Sequence, residues 1–252
     1  MVRCGNGASK KSENKMNYLF IPPSLDDLIR LLKAWRFWML GAIFGAMIGA
    51  AIYYVAPPPF RAQATVNVDF NLEQAWPYAE RTDRQDFYYL DRETRKLKAV
   101  VWSDAVMSQL SSEFAIPTKN LHGDKLQLSQ PSDGGWHFYA DDPDPRRATR
   151  LATNWAKAFE LYAQLGISDA VELEAQRAAL GNNPDNGDIK ARIIELEKSS
   201  FGINPFIQVG LVQEAGMPVA RSIPLSAYLL AGSIGFLTLA VFVVLFIKPK
   251  TK

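Results

Sequence analysis

Two long uncharged stretches decide how this chain folds. They are Phe37–Ala56, FWMLGAIFGAMIGAAIYYVA, and Ser222–Ile247, SIPLSAYLLAGSIGFLTLAVFVVLFI. A helix rises about 1.5 Å per residue, so about 20 helical residues cross the ~30 Å hydrocarbon core of a membrane. Both stretches have that length, and the buried core helix of a soluble protein seldom stays uncharged for so long. The sequence therefore predicts two transmembrane helices.

The charges that flank the two stretches predict the orientation of the chain. Residues 1–36 contain seven Lys or Arg against three acidic residues, and three Lys follow Ile247. The region between the stretches has 18 basic and 23 acidic residues. Because short basic flanks stay in the cytoplasm, we expect a multi-pass protein of the cell (inner or plasma) membrane with both termini cytoplasmic. The net charge of +2 is then a topology signal, and it does not indicate nucleic acid as a partner.

The region between the stretches predicts an α+β domain. In the segment that follows the triple proline at 57–59, small apolar residues from Ala62 to Val68 alternate with polar ones, as in a strand with one buried side. Similar strand patterns occur at 125–130, 136–140 and 207–213, and a hairpin turn is predicted at 131–135. Residues 77–114 have helical periodicity. We expect a mixed sheet with helices packed on it.

The strongest helix pattern begins at Asp144-Pro145, where an acidic cap precedes a proline in the first turn. An apolar stripe predicts that this helix continues to Leu180, with a break near Gly166, before a turn at 181–187 and a second helix that runs back. These elements predict a short projecting helical hairpin over about 144–201.

Small residues recur on one face of the first apolar stretch. Gly41, Gly45 and Gly49 are spaced every fourth residue, and an alanine follows each of them. Such a face lets two helix backbones approach closely, so it predicts packing against the second span or a neighbouring subunit. The alternative is a small-residue face that touches lipid. Pro218 and Pro224 mark the place where the chain returns to the membrane.

No catalytic pattern occurs in the sequence. His122 and His137 have no Cys or paired acid beside them, and Cys4 is expected to be an ordinary cytoplasmic thiol. The acidic run from Asp141 to Asp144 suits a hard cation, but the end of a strand followed by a helix cap explains it more simply. We therefore expect no enzyme activity, no cofactor and no metal.

Five further segments, taken in order, form a recognisable pattern. They are SLDDLIRLLKAWRFW at 24–38, PPPFRAQATVNV at 57–68, SDAVM at 103–107, DDPDPRRATRLATNW at 141–155 and AGMPVARSIPLS at 215–226. Together they resemble the Wzz-type chain-length determinants, the polysaccharide co-polymerases. The resemblance covers nearly the whole chain, and the order of the segments with the two-span topology makes it specific.

The resemblance implies both a fold and a function. The implied fold is a membrane-proximal α/β extracytoplasmic domain with helices rising from it, several copies of which form a closed ring. The implied function is non-catalytic control of the length of a lipid-linked surface polysaccharide, whether O-antigen, capsule or exopolysaccharide. The implied partners are further copies of the chain, a separate polysaccharide polymerase, the lipid-linked glycan and the membrane.

The chain departs from the family pattern in two respects. Its outer domain is short, so the hairpin must be short. The geometry of the ring therefore does not carry over from the longer members of the family. The glycines at Gly232 and Gly235 are also spaced differently from those of the family, so no packing role is assigned to them.

The expected organisation along the chain has six parts. They are a mobile cytoplasmic tail (1–23), an amphipathic juxtamembrane helix (24–36), transmembrane helix 1 (37–56), the extracytoplasmic domain (57–221), transmembrane helix 2 (222–247) and a short basic cytoplasmic tail (248–252).

Two other functions compete with chain-length control. One is a transmembrane adaptor that activates a separate cytoplasmic tyrosine kinase in a capsule or exopolysaccharide system. Only residues 248–252 follow the second stretch, which argues against that function. The other is a general membrane scaffold or sensor, whose hairpin could bind an unrelated partner.

Overall fold

A computed structural model of the chain describes residues 29, 32–75, 83–130, 135–182, 184–218 and 220–246. The chain divides into two compact units, one formed by its two end segments up to Pro57 and from Ile223, the other by residues 58–222. The predicted tails at 1–23 and 248–252 lie outside the described residues. So do most of the predicted juxtamembrane helix and residues 131–134 of the predicted hairpin turn.

The first unit contains two long apolar helices packed together, α1 at Trp35–Val55 and α8 at Leu225–Phe246. Both are long and apolar enough to cross a membrane. Helix α8 begins directly after Pro224, whose carbonyl accepts a hydrogen bond from the backbone N–H of Ala227. The helix therefore starts three residues after the uncharged stretch begins.

The second unit is built on a four-stranded antiparallel sheet in the order β2-β3-β1-β4. The prediction of a mixed sheet is therefore wrong. Strands β1 and β2 run in the same direction, but β3 lies between them, so no parallel pair forms. The strands are β1 at Phe60–Asp69, β2 at Leu126–Ser129, β3 at Gly135–Asp142 and β4 at Gln208–Gln213.

Helices connect these strands, and side chains cap several of them. The Ser103 hydroxyl accepts from the N–H of Val106, and the side-chain carbonyl of Asn186 accepts from two backbone N–H groups. A carboxylate oxygen of Asp144 accepts from the N–H of Arg146. The helices are α2 at Leu72–Ala75, α3 at Asp83–Val101, α4 at Asp104–Phe114, α5 at Thr118–Leu121, α6 at Pro145–Asn182 and α7 at Gly187–Ser199.

The core lies between one side of the sheet and the first half of α6. Trp155 and Phe159 of α6 are fully buried against Phe138 of β3, with ring centroids 4.9 and 5.3 Å from that of Phe138. Trp136 stacks on Phe159 at 5.4 Å. Burial of each large side chain contributes about 1.5–3 kcal/mol relative to exposure, so this aromatic cluster fastens α6 to the sheet.

The second half of α6 extends past the sheet and pairs with α7. A helix of 38 residues is about 57 Å long, roughly twice the length of the eight-residue strand β3. The predicted break near Gly166 is wrong, because the helix continues through it. A Cβ at Gly166 would lie 3.1 Å from Ile203 Cδ1, so the glycine makes room for a close contact.

Two arginines join α6 and α7 on the outside of the hairpin. Arg192 binds both carboxylate oxygens of Glu172, at 2.8 and 2.9 Å, and Arg177 binds Glu197 at 2.9 Å. The hydrogen bonds from Arg192 lower the pKa of Glu172 below its ordinary value. They are solvent-exposed, so each contributes little to the overall stability of the hairpin.

We expect the hairpin to loosen in acid. A group whose pKa is lower in the folded protein stabilises fully above its unfolded pKa, about 4.3 for Glu, and the contribution is lost as the pH falls through the lowered value. Amide exchange in α7, corrected for the intrinsic rate, should accelerate below pH 4. At pH 6 the amides of α7 should exchange faster in Glu172→Gln than in the unmodified chain. The exchange rate of this variant should also depend less on pH. Equal pH dependence of the two proteins would contradict this role of Glu172.

Candidate functional site

The glycines singled out in the first apolar stretch lie on the side of α1 that contacts α8. A Cβ on Gly45 would collide with the backbone carbonyl of Gly232, and a Cβ on Gly49 with that of Tyr228. Gly41 is less constrained, since its added Cβ would lie 3.5 Å from the Cβ of Ala240, an ordinary contact. The structure thus brings all three to the helix pair, and two of them require glycine there.

Gly232 has a packing position that the sequence reasoning did not assign to it. A Cβ at this residue would collide with the carbonyl of Gly45, so the two helices cross at a pair of facing glycines. At Gly235 no other described residue has an atom within 4 Å of the added Cβ. The sequence left Gly232 unassigned because spacing within one helix cannot show which of its faces meets the other helix.

Side chains on both sides of this crossing add specific contacts. The hydroxyl of Ser233 donates a hydrogen bond to the backbone carbonyl of Ala42, at 3.1 Å. Phe44 meets Phe236 edge to face, with ring centroids 5.4 Å apart. In a membrane, close packing and hydrogen bonds of this kind hold helices together, because lipid is as apolar as the side chains.

The predicted turning point at Pro218 and Pro224 lies beyond β4. Pro218 is half-buried, and Pro224 immediately precedes α8. Between them, the guanidinium of Arg221 donates to the carbonyl of Pro58 at 2.7 Å and lies 4.7 Å from the ring centroid of Phe60. The two ends of the second unit are therefore fastened to each other.

Each carboxylate of the acidic run from Asp141 to Asp144 has a structural partner. Asp141 accepts two hydrogen bonds from Arg61, at 2.9 and 2.7 Å, which raise the pKa of Arg61. The buried Asp142 accepts from Lys125 Nζ at 2.9 Å, and Asp144 caps α6. Among the described residues, no three His, Cys, Asp or Glu side chains are grouped so that they could hold a metal ion.

The two histidines lie in different settings. His137 Nδ1 is 3.0 Å from both the amide nitrogen of Gln63 and the hydroxyl of Thr65. The His122 ring packs against Trp102, with centroids 4.3 Å apart. Neither histidine is placed beside a carboxylate or thiol by these contacts.

His137 belongs to a surface that the sequence reasoning missed. Helix α6 packs on one side of the sheet, and the other side carries polar side chains at the alternate positions of β1, β2 and β3. The polar members of the alternating strand pattern carried this signal, whereas its apolar members indicated only the core. This surface is called the polar sheet face, and its members are Arg61, Gln63, Thr65, Asn67, Asp69, Gln127, Ser129, His137, Tyr139 and Asp141.

A cavity of about 370 Å³ adjoins the polar sheet face at the edge strand β2. Arg61, Gln127 and Asp141 contribute to its lining from the face. Trp102 and His122 contribute two aromatic rings. The cavity thus combines charged, amide and aromatic groups in one concave surface.

A buried carboxylate, Glu93, was also missed. Its side chain is fully buried and accepts from Lys96 Nζ at 2.8 Å, from Arg92 Nε at 3.0 Å and from the backbone N–H of Asn204 at 3.2 Å. Burial, helped by the charge of Glu93, raises the pKa of Tyr89 to about 12. Glu93 therefore ties α3 to the loop between α7 and β4.

A comparison with models of known protein families gives no match for this chain, and a comparison with curated proteins gives none either. Its function is therefore inferred from its own sequence pattern and geometry.

Proposed function

We propose that this protein is a non-catalytic regulator of polysaccharide chain length that acts on the polymerisation of a lipid-linked surface polysaccharide. In this proposal α1 and α8 cross the cell membrane, both termini are cytoplasmic, and residues 57–221 lie outside. The protein acts as a homo-oligomer beside a separate polymerase.

The observation that supports the proposal most is the order of elements along the chain. An apolar helix, an α+β unit with a helical hairpin and a second apolar helix follow one another. That is the order implied by the resemblance of five sequence segments to the Wzz-type chain-length determinants. The basic flanks of the two apolar stretches support the proposed orientation.

Chain-length control requires no residue that makes or breaks a bond. The acidic side chains with the most suggestive spacing, Asp141, Asp142 and Asp144, are used for an ion pair, a buried ion pair and a helix cap. What such a regulator requires is a surface that keeps the growing glycan near the polymerase. Tethering of this kind raises the effective concentration of the chain end, and repetition of the surface around an oligomer strengthens the effect.

Deleting the gene should broaden or shift the size ladder of the surface polysaccharide, because a polymerase without its regulator loses the preferred length. The measurement is an electrophoretic ladder from three strains: the parent, the deletion strain, and the deletion strain carrying the gene on a plasmid. The plasmid should restore the parental distribution. An unchanged ladder, in a parent strain in which the protein is detected by immunoblot, would refute the proposed function.

A further inference from the structure

We propose that the polar sheet face and its adjoining cavity bind a neutral segment of the polysaccharide. This inference rests on the proposed function, which supplies a glycan as the ligand. It adds the place where the glycan binds and the chemistry that recognises it.

The polar sheet face presents no exposed large aliphatic side chain among the described residues. Stable protein interfaces centre on buried aromatic or aliphatic anchors surrounded by a polar rim. The described part of the chain exposes many large apolar side chains, but none of them lies on this face. A ligand for this surface must therefore bind chiefly through hydrogen bonds.

The charges of the polar sheet face favour a neutral ligand over an anion. Arg61 and Asp141 neutralise each other through two hydrogen bonds, so the guanidinium is already occupied. Asp69, at the far end of β1, is negative and accepts the N–H of Asn71. A phosphate or a polyanion would meet no uncompensated positive charge across these three side chains. A neutral hydroxylated chain does not depend on such a charge for its binding.

The hydrogen-bonding groups of the face match sugar hydroxyls, each of which both donates and accepts. Gln63, Thr65 and His137 form one network, with contacts of 3.0–3.4 Å, and their side chains also combine donors and acceptors. The Tyr139 ring lies beside the network, with its centroid 6.2 Å from that of His137. An aromatic ring offers an apolar surface to the C–H groups of a sugar, and its hydroxyl remains a polar handle.

The dimensions also suit an oligosaccharide segment. The row of β1 side chains from Arg61 to Thr65 extends about 13 Å, since a strand rises about 3.3 Å per residue. The adjoining cavity of about 370 Å³ falls in the range of small-molecule sites. The Trp102 and His122 rings in its lining give one sugar unit an aromatic wall.

The test uses the full-length protein in lipid nanodiscs. The probe is the surface polysaccharide of the source strain, cleaved from its lipid and size-fractionated, and binding is measured by calorimetry and saturation-transfer NMR. Tyr139→Ala and Gln63→Ala should each weaken binding about tenfold, the effect of losing one or two well-placed contacts. Tyr88→Ala and Gln164→Ala, matched exposed positions on α3 and α6, should change affinity less than about twofold. Circular dichroism and thermal unfolding verify that each variant folds.

Each alternative outcome overturns the inference. No binding by the unmodified protein, or unchanged binding by both face variants, would exclude the face as a glycan site. Binding that weakens steeply between about 0.05 and 0.5 M salt would indicate an anionic ligand, because salt screens charge interactions. Face variants that change the oligomer mass but not the affinity would make the face a contact between copies. If the gene deletion alters the ladder while the protein binds no glycan, the inference fails and the proposed function remains.

Discussion

Replacing Gly45 with leucine is expected to separate the two apolar helices. The Cβ alone would collide with the backbone carbonyl of Gly232, and a carbonyl in a helix cannot rotate away as a side chain can. The helices must therefore move apart, which weakens the hydrogen bond from Ser233 to Ala42. Overpacking of this kind costs about 1–3 kcal/mol, and the lost contacts add to it.

A disulfide between the helices reports the separation. An added Cβ at Gly41 would lie 3.5 Å from the Cβ of Ala240, within the range for a disulfide, so Gly41→Cys with Ala240→Cys should cross-link readily. The experiment uses a Cys4→Ser background, which removes the native thiol. Gly45→Leu should slow cross-linking about tenfold, as expected for a loss of about 1.4 kcal/mol in the paired state.

Gly235→Leu is the matched control for the helix pair. This glycine lies on α8, and among the described residues no other atom is within 4 Å of its added Cβ. The leucine should therefore be accommodated, and the cross-linking rate should stay at that of the parent. Equal rates for the Gly45 and Gly235 variants would show that the facing glycines are not needed for the helix pair. In cells, Gly45→Leu should also alter the polysaccharide ladder, because the proposed assembly depends on correctly packed spans.

Glu93→Ala is expected to destabilise the second unit by about 3 kcal/mol, near the lower end of the range for breaking a buried ion pair. The variant leaves the N–H of Asn204 without its acceptor and Lys96 without its counter-ion. The loss in the free energy of unfolding stays near the lower end because 29% of the Lys96 side chain is exposed and can be hydrated. Urea unfolding of the full chain in detergent, followed by tryptophan fluorescence, measures the loss.

Asp91→Ala provides the control from the same helix. Asp91 pairs with Arg95 four residues later, and both side chains are solvent-exposed. Removing such a pair costs about 0.3–0.5 kcal/mol. The difference between the two variants thus measures the effect of burial on a carboxylate in α3. Similar stabilities would mean that water replaces Glu93 at the loop that follows α7.

The elements that could be predicted from the sequence are those with a strong local pattern. The strand at β1 follows from alternation, and α6 follows from its cap and apolar stripe; both are present in the structure. The expected break at Gly166 fails because a glycine that allows a kink looks the same in sequence as a glycine that makes room for a neighbour. The neighbour here is Ile203, which is distant in the chain.

The same limit applies to the candidate sites. Spacing alone indicates that Gly41, Gly45 and Gly49 share a face, but the role of Gly232 depends on where two helices cross. The partners of Glu93 include Asn204, which lies 111 residues away, so no local pattern could identify this carboxylate as buried.

The sequence by itself determined the two apolar helices, the alternation of β1 and the cap of α6, because each depends on neighbours within a few residues. The tertiary structure alone decided that the four described strands pair antiparallel, that Gly45 faces Gly232, and that Gln63, Thr65 and His137 form one hydrogen-bonded face. These features depend on strand register and helix rotation. Both are set by how the whole apolar surface is buried, and a one-residue shift in a strand would move every one of its side chains to the other side of the sheet.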